Sequence, residues 1–158
     1  MIRRPVRWLV VLTGVGALAC QPAPPPADPA PAPARPAAAA KPAVAPGTIK
    51  RIDLTAFFTL QQTGNPLIYD VRPMIFYSLG HVPGALNWPK NGFTAGLPRH
   101  EAELRTARKE KRPVVLYCTD RACPDAGTVA RKLAALGYSV SLVDGGFEEW
   151  KTAGLPTE

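Results

Sequence analysis

The chain has 158 residues, enough for one ordinary domain and too few for a second of comparable size. Its formal charge of +7 comes from 19 basic and 12 acidic side chains, yet residues 47–158 hold 14 of the former and 11 of the latter, a balance of +3. So mild an excess excludes a dedicated nucleic-acid surface, and no nucleic-acid partner is expected.

The opening, MIRRPVRWLVVLTGVGALAC, has a basic end (Arg3, Arg4, Arg7), an apolar stretch from Trp8 to Leu18 and small residues before Cys20. That is the layout of a secretory signal. The stretch falls short of the roughly 20 apolar residues a membrane-spanning helix needs. Ala17-Leu18-Ala19 satisfies the small-x-small rule of the ordinary signal peptidase, while the cysteine that follows resembles the lipobox of bacterial lipoproteins. The resemblance implies a signal peptide over residues 1–19, with Cys20 as the lipid-bearing new N-terminus. The protein would then be periplasmic and anchored to the membrane through that lipid; a soluble periplasmic or secreted form is the alternative.

Residues 20–46 form a Pro/Ala-rich linker, expected to be disordered. Gln21 to Pro46 contains 10 prolines and 11 alanines in 26 residues, a composition that cannot bury apolar surface. Extended at about 3.1 Å per residue, it would reach on the order of 80 Å.

Residues 47–158 alternate between two patterns. Asp53 to Gln62 has helical spacing, with Asp53 placed to cap it. Leu67 to Val71 is a short, strongly apolar run of the kind buried parallel strands show. Arg99 to Glu110 is helical again, and the basic cluster from Arg105 to Arg112 suits its C-terminal end, where cations complement the backbone dipole. Val114 to Tyr117 repeats the strand pattern. Asp125 to Leu136 predicts a helix with Val129, Leu133 and Leu136 on one face, ended by Gly137, and Tyr138 to Val143 predicts a further strand. Strand and helix in alternation imply an α/β layer fold on a parallel sheet.

In such folds ligands bind beyond the carboxyl ends of the strands. Cys118 to Cys123 lies at that edge, between a strand and a helix start where Pro124 suits the first helical position. Amides of Thr119, Asp120, Arg121, Ala122 and Cys123, with those of the helix end, would converge on the sulfur of Cys118 and stabilise an anion there. An ordinary thiol, with a pKa of about 8.5, is about 3% thiolate at pH 7; lowering the pKa to about 6.5 raises that to roughly three quarters.

Three stretches, DVRPMIFYSLGHVPGALNWP (Asp70 to Pro89), VVLYCTDRACPDA (Val114 to Ala126) and VDGGFEEWKTAGLPTE (Val143 to Glu158), resemble the rhodanese homology domain in order and spacing. The resemblance implies a three-layer rhodanese-like fold, with a central parallel sheet of about five strands flanked by helices. It also implies sulfur transfer, in which Cys118 takes sulfane sulfur from thiosulfate, a polysulfide or a persulfide donor and passes it to cyanide or a thiol acceptor. The expected partners are therefore a small sulfur-containing anion or persulfide donor and a thiol protein. No cofactor and no metal are implied. The loop from Cys118 through Cys123 keeps the six-residue length of sulfur-handling members, which disfavours phosphoryl chemistry.

Two features depart from the family pattern. Its loop resembles Cys-x-x-Gly-x-Arg-Ser, but here Arg121, Cys123 and Pro124 stand at the Gly, Arg and Ser positions, and Phe76 stands where many members have Glu. Arg121 is left to supply positive charge to the substrate. Cys123 opens a second chemistry, as redox partner of Cys118, provided the loop curls enough to bring the Cα atoms within roughly 7 Å. A thiol–disulfide or sulfur-carrier module, or a catalytically silent binding domain, are the alternatives to an enzyme. Asp70 and Arg72 match the family's Asp-x-Arg and read as structural charges at a strand end, and His81, in Gly-His-Val-Pro-Gly, as a hydrogen-bonded structural histidine. Gly145 and Gly146 match a family turn, and Trp150 reads as core.

Overall fold

The computed structural model describes residues 45–158. The expected signal peptide, Cys20 and nearly all of the linker lie outside the described residues. Five parallel strands form one sheet: β1 (Ile49–Ile52), β2 (Leu67–Asp70), β3 (Leu86–Asn87), β4 (Val114–Tyr117) and β5 (Val140–Val143), in the order β1-β5-β4-β2-β3. The helices are α1 (Leu54–Thr63), α2 (Met74–Ser78), α3 (Phe93–Lys109), α4 (Asp125–Ala135) and α5 (Gly146–Thr152). A short 3-10 turn, Lys90–Gly92, precedes α3.

β2 and β4 are buried along their whole length, which is why, Asp70 apart, both read as apolar runs. Side chains alternate between the two faces. Leu67, Tyr69 and Val71 with Val114, Leu116 and Cys118 pack against residues of α3 and α4. Ile68, Val115 and Tyr117 pack with Phe57 of α1 and Phe147 and Trp150 of α5. The result is a sheet between two helical layers, as expected. Each large apolar side chain fully buried this way contributes roughly 1.5–3 kcal/mol.

Local details follow the sequence closely in α1, where Asp53 accepts the Ala56 amide at 2.8 Å. α3 begins six residues earlier than its spacing suggested and runs through Pro98. Trp88 accounts for this: its ring stacks on Phe93 at 4.8 Å and on His100 at 4.5 Å, and its indole N–H donates to the Phe93 carbonyl at 3.2 Å. Those contacts pin the turn that a proline alone would loosen. In α4, Val129 and Leu133 are buried as expected, but Leu136 is exposed, because the helix stops at Ala135 and the chain turns away through Gly137 at φ +84°. Among the described residues no helix is long and apolar enough to cross a membrane.

Candidate active site

Cys118 follows the last residue of β4, at the carboxyl edge of the sheet, with only 4% of its surface exposed. Two neighbours hold the peptide that carries it. On one side Tyr117 points into the opposite layer, where its hydroxyl donates to Asp70 Oδ2 at 2.8 Å and accepts from the Val82 amide at 3.2 Å. On the other, the first amides of α5 reach the loop backbone: Phe147 N–H donates to the Cys118 carbonyl at 2.8 Å and Glu148 N–H to that of Thr119 at 2.9 Å.

This approach explains Gly146. It sits at φ +62°, and a Cβ there would stand 2.5 Å from the Cys118 carbonyl oxygen. Only glycine lets the helix come so near. Gly145, at φ +83°, makes the preceding turn, where an added Cβ would meet only the Glu149 side chain. Trp150 is fully buried against Phe57 and Phe58, its indole donating to the Pro156 carbonyl at 2.7 Å.

Asp70 and Arg72 are an internal brace. Asp70 has no exposed surface and accepts from the Arg72 amide, from its guanidinium through both oxygens, and from Tyr117. Arg72 also donates to the Gly80 carbonyl at 2.7 Å and lies 4.1 Å over the Phe147 ring. Both oxygens of Asp70 are bonded, so its carboxylate is engaged in the brace and not free for acid–base work. Burial, and then the Asp70 charge, push the Tyr117 hydroxyl far above its ordinary range, so it remains a proton donor. His81 stacks on Tyr77 at 3.8 Å with Nδ1 on the Tyr77 carbonyl at 3.1 Å, a structural role away from the sulfur.

The loop itself curls. Cys118 and Cys123 are joined as a disulfide, their Cα atoms 6.2 Å apart. Asp120 causes the curl, because its Oδ1 accepts the amides of Ala122 at 2.8 Å and Cys123 at 2.9 Å. In this oxidised form those two amides therefore face Asp120 and not Cys118. Of the five amides expected to cradle the sulfur, those of Ala122 and Cys123 are thus taken by Asp120 in this form.

A cleft of about 210 Å³ lies over the disulfide, lined by the loop and by Arg51, Arg131 and Asp144 among others. Arg121 lines it, and so does Arg131, the seventh residue of α4, which the sequence reading passed over. Arg51 is bonded to Asp144. Two more residues were also missed. A carboxylate oxygen of Asp125 lies within 4.8 Å of both sulfurs, and Lys90 Nζ donates to Asp125 Oδ1 at 2.6 Å. Asp125 adjoins the loop and was visible; Lys90 comes from 35 residues away and carried no local signal. Cys118, Cys123 and Asp125 have a ligand-like spacing, but with the sulfurs bonded to each other and Asp125 held by Lys90 they do not form a metal cage in this state.

The Rhodanese-like domain family matches residues 55–153. An HTH-type transcriptional regulator of Mycobacterium tuberculosis is 38% identical over 101 residues, covering 62% of this chain and 40% of the regulator. The chain thus spans about two-fifths of that relative's length. The BH2092 protein of Bacillus halodurans superposes with a TM-score of 0.56 at 25% identity, over 69% of this chain and 76% of that one. A Rhodopseudomonas palustris protein described as a possible tyrosine phosphatase gives 0.58 at 21% identity, over 70% and 85%. Ygr203w of Saccharomyces cerevisiae, described as a homolog of single-domain rhodanese and the Cdc25 phosphatase catalytic domain, gives 0.52 at 21%, over 66% and 80%. At 21% identity the last two speak for the fold alone.

Proposed function

The chain belongs to the rhodanese-like family, and from that premise we propose that it is a sulfurtransferase whose Cys118 carries sulfane sulfur as a persulfide. The observation that carries this reading is the position of Cys118: it directly follows a central strand, begins the loop that leads into α4, and lines a cleft with Arg121 and Arg131 at its walls. Backbone amides and cations suit both a thiolate and the anion that attacks or leaves. The six-residue loop favours sulfur over phosphate as the transferred group.

In the disulfide form a dithiol reductant must first supply two electrons and two protons. Cys123, the more exposed partner, is the sulfur an incoming thiolate reaches, so Cys118 departs as thiolate beside the amides. The Cys118 thiolate then attacks the outer sulfur of a thiosulfate or polysulfide donor, forming the persulfide and releasing sulfite or a shortened polysulfide. Attack by cyanide or a thiol on the persulfide's outer sulfur returns Cys118 as thiolate.

The 6.2 Å Cα separation favours a second reading of the same site. The Cys123 thiol attacks the inner sulfur of the Cys118 persulfide, the disulfide forms, and the outer sulfur leaves as hydrosulfide. Two thiol sulfurs are oxidised while one sulfane sulfur is reduced. Outside the cytoplasm, where the N-terminal sequence would send the chain, oxidation of this kind is favoured. Lipid on Cys20 would hold the domain near the membrane; a mature chain whose mass begins elsewhere than a lipidated Cys20 would refute that part.

Reduced protein incubated with thiosulfate or a polysulfide is expected to gain one sulfur on Cys118, seen by mass and removed by cyanide. Equal masses for wild type and Cys118→Ser would sink the proposal. Cys123→Ser is expected to load normally but to stop hydrosulfide release in the absence of an acceptor.

A further inference from the structure

The charges around the disulfide are not equivalent. Arg51 and Asp144 are bonded to each other, and Asp120 is occupied by two loop amides. Arg131 is turned onto Thr128 at 3.2 Å, and Arg121 stands in solvent. What remains is Asp125, whose carboxylate lies within 4.8 Å of both sulfurs, and Lys90, bonded to it at 2.6 Å from the turn before α3. Their side chains are 24% and 36% exposed, so water screens them only in part. Neither charge is needed to satisfy a buried group, as Asp70 and Arg72 are.

A carboxylate so close to sulfur disfavours thiolate by like-charge repulsion, whereas an ammonium favours it. We propose that Asp125 and Lys90 act as an opposed charge pair that sets the thiolate character of the Cys118–Cys123 couple, Asp125 holding it toward thiol and disulfide and Lys90 toward thiolate. This rests on Cys118 being the reactive sulfur. Both act through the sulfurs and are positioning residues. The pair gives a site without the family's loop arginine a reducing couple: with thiolate disfavoured the disulfide forms readily, and once a dithiol has reduced it, Lys90, already bonded to Asp125, limits the repulsion that the Cys118 thiolate feels.

Asp125→Asn removes the repulsion and frees Lys90, so both changes act in one direction. Reduced Cys118, titrated through thiolate absorbance in a Cys123→Ser background, is expected to fall in pKa by about one pH unit. Lys90→Gln is expected to raise it by a similar amount. In the two-cysteine protein equilibrated with a dithiol, Asp125→Asn is expected to favour the reduced form by about tenfold at pH 9 and hardly at all at pH 6, because only the thiolate feels the charge. A substitution that merely loosened α4 would shift the equilibrium alike at both pH values. Shifts of the same sign in the two variants, or none in either, overturn the inference while sulfur loading on Cys118 persists. Loss of loading in the wild type would instead overturn the sulfur-transfer reading.

Discussion

Two acid–base pairs stand at the carboxyl edge of this sheet, and they differ in every physical respect. Asp70 and Arg72 are 0% and 4% exposed in their side chains, each bonded to several partners that bridge β2, β4 and α5. Asp125 and Lys90 are partly open and share one bond, and the Asp125 carboxylate lies within 4.8 Å of both sulfurs. A buried ion pair bonded to several elements is architecture, since removing either member strands the other without water. A half-open pair is free to be felt by a third group. Charge near a reactive atom is thus a weaker pointer to chemistry than charge with unused capacity.

The strongest way to break this contrast is Asp70→Ala, which leaves the Arg72 guanidinium buried and unpaired. It is expected to destabilise the domain by about 3–5 kcal/mol in denaturant titration, and a loss as small as that of an exposed ion pair would erase the distinction. A second measurement sharpens it through pH. Burial raises the Tyr69 and Tyr117 hydroxyls well above their ordinary value of about 10. The unfolded chain therefore loses these protons first. The stability they contribute is whole below pH 10 and declines above it by roughly 1.4 kcal/mol per pH unit for each tyrosine. Unfolding curves taken between pH 9 and pH 11 would show this slope, and Tyr117→Phe would remove about half of it.

The smallest expected effect lies in the loop. Asp120→Ala costs about 1 kcal/mol or less, because it removes bonds to amides that water can reach. It also frees the Ala122 and Cys123 amides, so reduced Cys118 is expected to react severalfold faster with an alkylating thiol reagent at pH 7. Slower alkylation would show that Asp120 builds the anion site and does not compete with it.

Much of the fold was legible because burial leaves a plain imprint. Leu67 to Val71, apart from Asp70, and Val114 to Tyr117 are apolar on both faces, and the sheet needs them so. β1 was missed because, as an edge strand, it mixes charged and apolar residues, and β3 because two residues are too few to show a period. α2 presents Met74, Ile75 and Phe76 to solvent, so it lacks the two-sided contrast by which a helix is read. At the candidate site both cysteines, the glycine turn and the Asp70–Arg72 brace were visible as local patterns. Lys90 was not, since only the folded chain brings it to Asp125; nor was the capture of loop amides by Asp120, which depends on how tightly six residues coil.

The contact at Gly146 has a consequence in time as well as space. The peptide oxygens of Cys118 and Thr119 are gripped by nitrogens that follow them by almost thirty residues, beyond another helix and another strand. A chain still emerging from the ribosome would thus hold its sulfur in an unshaped segment, and its reactivity would arrive only with the final fold.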